Sequence, residues 1–173
     1  TLLTYSEVEK VDGYVGSFAV TIRKRARSVK EADCTGCGIC WEKCPKKVVD
    51  DVFEAGMGNR KAIYVPFPQA VPKYPVIDRV NCTYYIKGTC KACEKFCPTN
   101  SIDFEQQDEI MTVEVGNVIL ATGWELFDTR RITQYGYGRL ANVFTSLEFE
   151  RMSNSAGPTG GNIILRDGKT VPK

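Results

Sequence analysis

Residues 34–45 read Cys-Thr-Gly-Cys-Gly-Ile-Cys-Trp-Glu-Lys-Cys-Pro. Cys34, Cys37, Cys40 and Cys44 thus follow C-x2-C-x2-C-x3-C-P, a spacing suited to a four-iron, four-sulfur cubane. Three thiolates two residues apart lie on a loop short enough to wrap three corners of such a core. Gly36 and Gly38 let the backbone bend closely around it, and Pro45 redirects the chain after the last ligand. Zinc is the plainer alternative, but a structural zinc site usually takes its ligands as two separated pairs, and three cysteines spaced this tightly crowd a tetrahedron. Buried free cysteines would leave the regular spacing without a cause.

A second run, Cys82, Cys90, Cys93 and Cys97, reads C-x7-C-x2-C-x3-C-P. Laid over the first, Cys37, Cys40 and Cys44 match Cys90, Cys93 and Cys97. Pro45 matches Pro98, Val49 matches Ile102, and Asp50 matches Asp103. The departure is an insertion, Tyr84-Tyr85-Ile86-Lys87-Gly88, whose aromatic bulk is expected to shield the site beside it. In two-cluster modules the fourth cysteine of each run ligates the other cluster. Crossed ligation is therefore expected: Cys34, Cys37, Cys40 and Cys97 on one [4Fe–4S] cluster, and Cys82, Cys90, Cys93 and Cys44 on the other. It spares Cys44 from reaching back over a helical turn to a cubane already surrounded by Cys34 to Cys40.

Composition narrows the class. The chain has 173 residues, enough for one ordinary domain or two small ones. Its formal net charge of +2 lacks the basic excess of a nucleic-acid binder. No run approaches the roughly 18 apolar residues that span a bilayer. Eight clustered cysteines without a secretory start favour metal ligation in a reducing, cytoplasmic setting. With no histidine, the chain cannot supply a His-ligated haem, a Rieske centre, a Cys/His zinc finger or a Ser-His-Asp triad. Thr1-Leu2-Leu3-Thr4-Tyr5 has neither an initiator Met nor a signal-like start and looks like mid-strand, so the chain reads as a piece of something longer.

The elements that must position the cysteines follow from periodicity. Leu2, Leu3 and Tyr5 should open a strand, with turns at Asp12–Gly13 and Gly16. Phe18, Val20 and Ile22 alternate with Ala19, Thr21 and Arg23, predicting a second strand that runs on through Arg23, Arg25 and Arg27, one solvated face. Short helices should follow Cys40 and Cys93. The 37 residues between the motifs carry a Gly56-Met57-Gly58-Asn59 turn and then Pro66, Pro68, Pro72 and Pro75, which preclude a helix. Ile110 to Val115 predicts a strand. Val118-Ile119-Leu120-Ala121 is a continuous apolar run, expected of a fully buried strand of an α/β sheet. Ligands bind beyond the carboxyl ends of such strands, which makes Thr122 and Gly123 candidates for cofactor contact. Thr145-Ser-Leu-Glu148 is a capping box opening a helix over 142–152. Gly157-Pro158-Thr159-Gly160-Gly161 lacks the phosphate-loop lysine and reads as a plain loop.

The two cysteine runs, Ala121-Thr122-Gly123, Tyr135-Gly-Tyr-Gly-Arg139 and Asn142-Val-Phe-Thr-Ser-Leu-Glu-Phe-Glu150 together resemble the A subunit of heterodisulfide reductase. The resemblance covers essentially the whole chain. It implies an α+β fold in which a dicluster bacterial-ferredoxin-like module is inserted into part of an α/β, thioredoxin-reductase-type FAD domain. Residues 1–30 would be a β segment of that domain, 31–105 the ferredoxin-like domain, and 106–173 the return segment. Ala121, Thr122 and Gly123 would approach FAD. The glycine-rich dinucleotide fingerprint, the NAD-binding-type half and a C-terminal ferredoxin are not in this sequence, so FAD is expected only in the complete protein and catalysis is not expected of this chain alone. The resemblance further implies flavin-based electron bifurcation to a disulfide acceptor. The partners would be the rest of its own polypeptide, B and C type subunits, a hydrogenase or formate dehydrogenase module, and ferredoxin. A-type subunits also occur in sulfate-reducer and benzoyl-CoA reductase assemblies, and a stand-alone ferredoxin-like carrier is the simpler alternative.

Overall fold

The computed structural model describes residues 1–173. In chain order the elements are β1 (Ser6–Tyr14), β2 (Ser17–Lys24), α1 (Ile39–Glu42), β3 (Lys47–Val49), β4 (Asn59–Lys61), β5 (Ile63–Tyr64), β6 (Val76–Ile77), α2 (Thr83–Lys87), α3 (Ala92–Lys95), β7 (Glu109–Val115) and α4 (Ser146–Ser153). They form two compact units: Thr1–Lys46 with Lys61–Thr122, and Lys47–Arg60 with Gly123–Lys173. The first unit contains all eight cysteines.

In the first unit β1, β2 and β7 form an antiparallel sheet in the order β1-β2-β7. The registers Val8↔Ile22↔Met111 and Val20↔Val113 put the alternating apolar residues on one face. The period-two reading of Phe18, Val20 and Ile22 thus describes β2, and Ile110–Val115 falls inside β7. Three boundaries differ from expectation. β1 begins only at Ser6, because Tyr5 takes a left-handed φ of 55°. Asp12–Gly13 lies inside β1, and the hairpin turns at Val15–Gly16, where the second turn was expected. Gly13 is nevertheless required, since a Cβ there would stand 2.1 Å from the Ser17 carbonyl oxygen. β2 stops at Lys24, so the three arginines do not share one solvated face. Arg23 pairs with Glu9 and Arg25 with Glu7, while Arg27 is buried against Glu31 at 2.7 Å.

The core of this unit is a pair of matching short ladders. Val29 bridges Ile102, and Ile63 pairs with Ile77; each of the four is at most 7 % exposed. The flanking bonds match as well. The Lys30 N–H donates to the Ser101 carbonyl at 2.7 Å, as the Asp78 N–H does to that of Ala62. The Cys34 N–H donates to the Lys30 carbonyl at 3.1 Å, as the Cys82 N–H does to that of Asp78 at 2.8 Å. The spatial counterpart of Ile102 is therefore Ile63, not Val49. Val49 lies in β3, on an excursion spanning 47–61 whose base is closed by the Ala62 N–H donating to the Lys46 carbonyl at 3.1 Å. A match made along the sequence cannot see that excursion.

Within the second unit α4 carries the expected capping box: Thr145 Oγ1 accepts the Glu148 N–H at 3.1 Å, and the Glu148 carboxylate accepts the Thr145 N–H at 2.7 Å. Arg151 ion-pairs with Glu54 at 3.2 Å and lies 4.2 Å over the Phe53 ring. Residues 157–161 form turns, as expected of a plain loop. No helix is long and apolar enough to cross a membrane.

Candidate metal centre

The predicted helices are present but begin earlier than expected: α1 and α3 contain Cys40 and Cys93 rather than following them. Each is a single turn, and the two pack against each other. Gly38 precedes α1 with φ 95°, and its missing Cβ leaves room for the Trp41 ring, which would otherwise stand 2.8 Å away. Gly36 takes φ 66° with a site for Cβ only 2.9 Å from the Lys73 carbonyl oxygen, so the ligand loop is fixed against the proline-rich connection.

The eight sulfurs fall into two recesses. One is lined by Cys34, Cys37, Cys40 and Cys97, with Val29, Trp41 and Ile102 among its walls. The other is lined by Cys44, Cys82, Cys90 and Cys93, with Ile63 and Ile77 in the corresponding places. Each recess takes three cysteines from one run and the fourth from the other. All eight cysteines are free thiols. Nowhere do three Cys, Asp or Glu side chains converge to hold one metal ion. Four soft sulfur donors around an apolar recess fit a [4Fe–4S] cluster in each place.

Electrostatics couples the cysteines within each recess, and also Cys40 to Cys93 between them. Burial pushes the Cys93 thiol up to about 12 against a backbone bond from Glu94, and Cys82, Cys44 and Cys90 add like charge. Cys40 is likewise pushed up to about 12 by burial, opposed by a backbone bond from Trp41, with Cys34, Cys93 and Cys37 adding to the rise. Cys34 is raised by burial, despite the Gly36 N–H at 3.5 Å, and then by Cys97 and Cys37. Burial and mutual repulsion thus keep these thiols protonated unless a bound cation stabilises the thiolates. Cys97 alone moves down. Burial opposes this, but the Ser101 N–H at 3.3 Å and the Thr99 hydroxyl at 3.7 Å outweigh it.

The insertion Tyr84 to Gly88 forms α2 and its cap. Tyr84 stacks on Phe104 with centroids 3.9 Å apart, and the Tyr85 hydroxyl lies 2.7 Å from both Ser28 Oγ and the Phe104 carbonyl oxygen. Its rings are thus fixed on the second half of the repeat.

Ala121, Thr122 and Gly123 lie elsewhere. The apolar run before them is not a buried strand: residues 118–123 have no strand structure, and Ile119 and Leu120 are 91 % and 83 % exposed. A strand needs neighbours on its ladder and both faces, and this chain supplies none there.

Sequence reasoning missed the upstream part of the repeat. Val29 and Ile77 each precede the first cysteine of their run by five positions, an offset visible in the sequence. It also missed Thr99 and Ser101, which only the fold brings to a sulfur.

No protein-family model matches the chain. It is 44% identical over 172 residues, 99% of its length, to the A subunit of the H(2):CoB-CoM heterodisulfide,ferredoxin reductase of Methanothermobacter thermautotrophicus. It is 50% identical over 169 residues, 97% of its length, to an iron-sulfur A subunit of the CoB–CoM heterodisulfide reductase of Methanopyrus kandleri. Against the A subunit of the ferredoxin:CoB-CoM heterodisulfide reductase of Methanosarcina mazei it is 42% identical over 166 residues, 95% of its length. The chain spans 25%, 25% and 20% of these relatives. Over the segment it spans, the chain belongs to the family of heterodisulfide reductase A subunits.

Proposed function

We propose that the chain holds two [4Fe–4S] clusters and relays electrons as the iron–sulfur segment of a heterodisulfide reductase of this family. Cys34, Cys37, Cys40 and Cys97 would hold one cluster, and Cys44, Cys82, Cys90 and Cys93 the other. The observation that carries this reading is the sorting of eight sulfurs into two recesses of four. Such clusters supply one-electron storage and release.

The chain's own residues set the conditions for it. Cys40 and Cys93 sit on the packed helices α1 and α3, which keeps the recesses close together. Cys37 is the exposed cysteine, so the first cluster would present one ligand to solvent. Tyr84, Tyr85 and Phe104 pack on one another and line neither recess, so the expected aromatic shield does not form over the second cluster site.

In the whole protein, residues 1–30 and 106–173 would belong to a FAD domain around the inserted module. Val118 to Ala121 would become a buried strand there, and Ala121, Thr122 and Gly123 would line the flavin. The names of the relatives support an oxidoreductase linked to ferredoxin and the CoB–CoM heterodisulfide; exchange of electrons with this segment's clusters, in the cytoplasm, is part of the same proposal. Bifurcation at the flavin, and association with B and C type subunits and a hydrogenase or formate dehydrogenase module, complete the reading.

Iron and acid-labile sulfide analysis of anaerobically purified chain tests it. About eight irons per chain are expected from two cubanes, with little FAD retained. About four irons, or zinc in place of iron, would contradict it.

A further inference from the structure

The two recesses match in backbone and core but differ in what reaches the sulfur of the crossing cysteine. Cys97-Pro98-Thr99 corresponds to Cys44-Pro45-Lys46, and Ser101 corresponds to Ala62. At Cys97 the Ser101 N–H donates to Sγ at 3.3 Å, and Thr99 Oγ1 stands 3.7 Å from the same sulfur. Ser101 is 1 % exposed, and its Oγ is 2.5 Å from Thr99 Oγ1. The two hydroxyls therefore form a short chain that can end on the sulfur as a donor. At Cys44 the neighbouring group is an acceptor, the Lys46 carbonyl oxygen at 3.8 Å, and Ala62 has no hydroxyl to offer.

We infer that the Thr99–Ser101 hydroxyl pair tunes the cluster held by Cys34, Cys37, Cys40 and Cys97 to the higher potential, so that an electron entering this segment settles there first. The inference rests on the two-cluster reading above. Adding an electron makes a cluster and its thiolates more negative, so groups that donate to sulfur stabilise the reduced form more than the oxidised one. Exposure acts in the same direction, since Cys37 is open to solvent while Cys44, Cys82 and Cys93 are buried. The opposing influence is Lys61, whose ammonium donates to the Cys44 carbonyl at 2.6 Å. That charge is directed at a backbone oxygen instead of a sulfur, and Lys61 is only half-buried, where solvent and salt weaken its reach. Thr99 and Ser101 are positioning residues in this scheme: they ligate nothing and act through Cys97.

A redox titration of the iron-loaded chain followed by low-temperature EPR provides the test, with iron content measured on the same samples. The wild-type chain should show two midpoints. Thr99→Val should lower the upper midpoint and leave the lower one in place, with iron content unchanged. Ser101→Ala, which keeps the backbone N–H, should shift the same midpoint in the same direction. Thr99→Ser should restore the wild-type value, which a purely structural role for the threonine methyl would not allow. If Thr99→Val loses iron, Ser101→Ala supplies the reading. The inference is overturned if the lower midpoint moves or neither midpoint does. Wild-type chain with one cluster, or none, would instead sink the two-cluster reading on which the inference rests.

Discussion

Cys97 lines the recess of Cys34, not that of Cys93, four residues before it in the sequence. Each Cys-Pro thereby ties one half of the repeat to the other, and neither recess is complete without both halves. Iron removal should for this reason loosen the whole first unit, because metal binding and folding are coupled in small cluster modules. Amide hydrogen exchange before and after anaerobic chelation checks this. Protection at Val29, Ile77 and Ile102 should fall together. Loss confined to one half of the repeat would contradict the crossed tie.

Ile77→Ala probes the ladder beneath the second recess. Ile77 is 2 % exposed and pairs with Ile63. Removing a buried isoleucine side chain costs about 2–5 kcal/mol when the site cannot collapse. Denaturant unfolding of the iron-loaded variant should show a loss in that range, and its cluster on Cys44, Cys82, Cys90 and Cys93 should bleach first in air. A change below about 0.5 kcal/mol would mean that the ladder does not carry the core.

The cysteine chemistry was legible because ligand spacing is local, and the capping box at Thr145 and the alternation in β2 were legible for the same reason. The pairing of Ile102 with Val29 was not, because the excursion at 47–61 breaks the linear match between the halves. The run Val118 to Ala121 shows the opposite failure. Its composition describes a buried strand, but residues 118–121 pair with no neighbouring strand and Ile119 and Leu120 stay exposed. Arg27 shows a third: alternation placed it on a solvated face, but the chain leaves β2 at Lys24 and turns the guanidinium inward to Glu31.

Glu148 gives the second unit a pH dependence. Burial raises its carboxyl, but the Thr145 N–H and the Arg166 guanidinium at 2.7 Å hold it below the usual carboxylate range. A folded-state value below the unfolded one stabilises the fold above the unfolded value, and that contribution disappears as pH falls through the folded value. Thermal unfolding followed from pH 7 down through the carboxylate range should show the wild type losing more stability than Glu148→Gln. Parallel curves for the two would show that the Glu148 charge contributes nothing.

The flavin assignment is tested in the full-length protein. Thr122→Val should weaken FAD retention on gel filtration without changing iron content, since Thr122 lies far along the chain from every cysteine run. Lost iron with retained flavin would overturn the assignment.

Crossed ligation is the centre of the account, and Mössbauer and EPR spectra of iron-loaded Cys44→Ser test it most directly. Cys93→Ser and Cys40→Ser serve as markers for the two clusters. The account predicts that Cys44→Ser perturbs the same spectral component as Cys93→Ser and leaves the component marked by Cys40→Ser intact. A perturbation shared with Cys40→Ser instead would place Cys44 on the cluster of its own run and contradict the account.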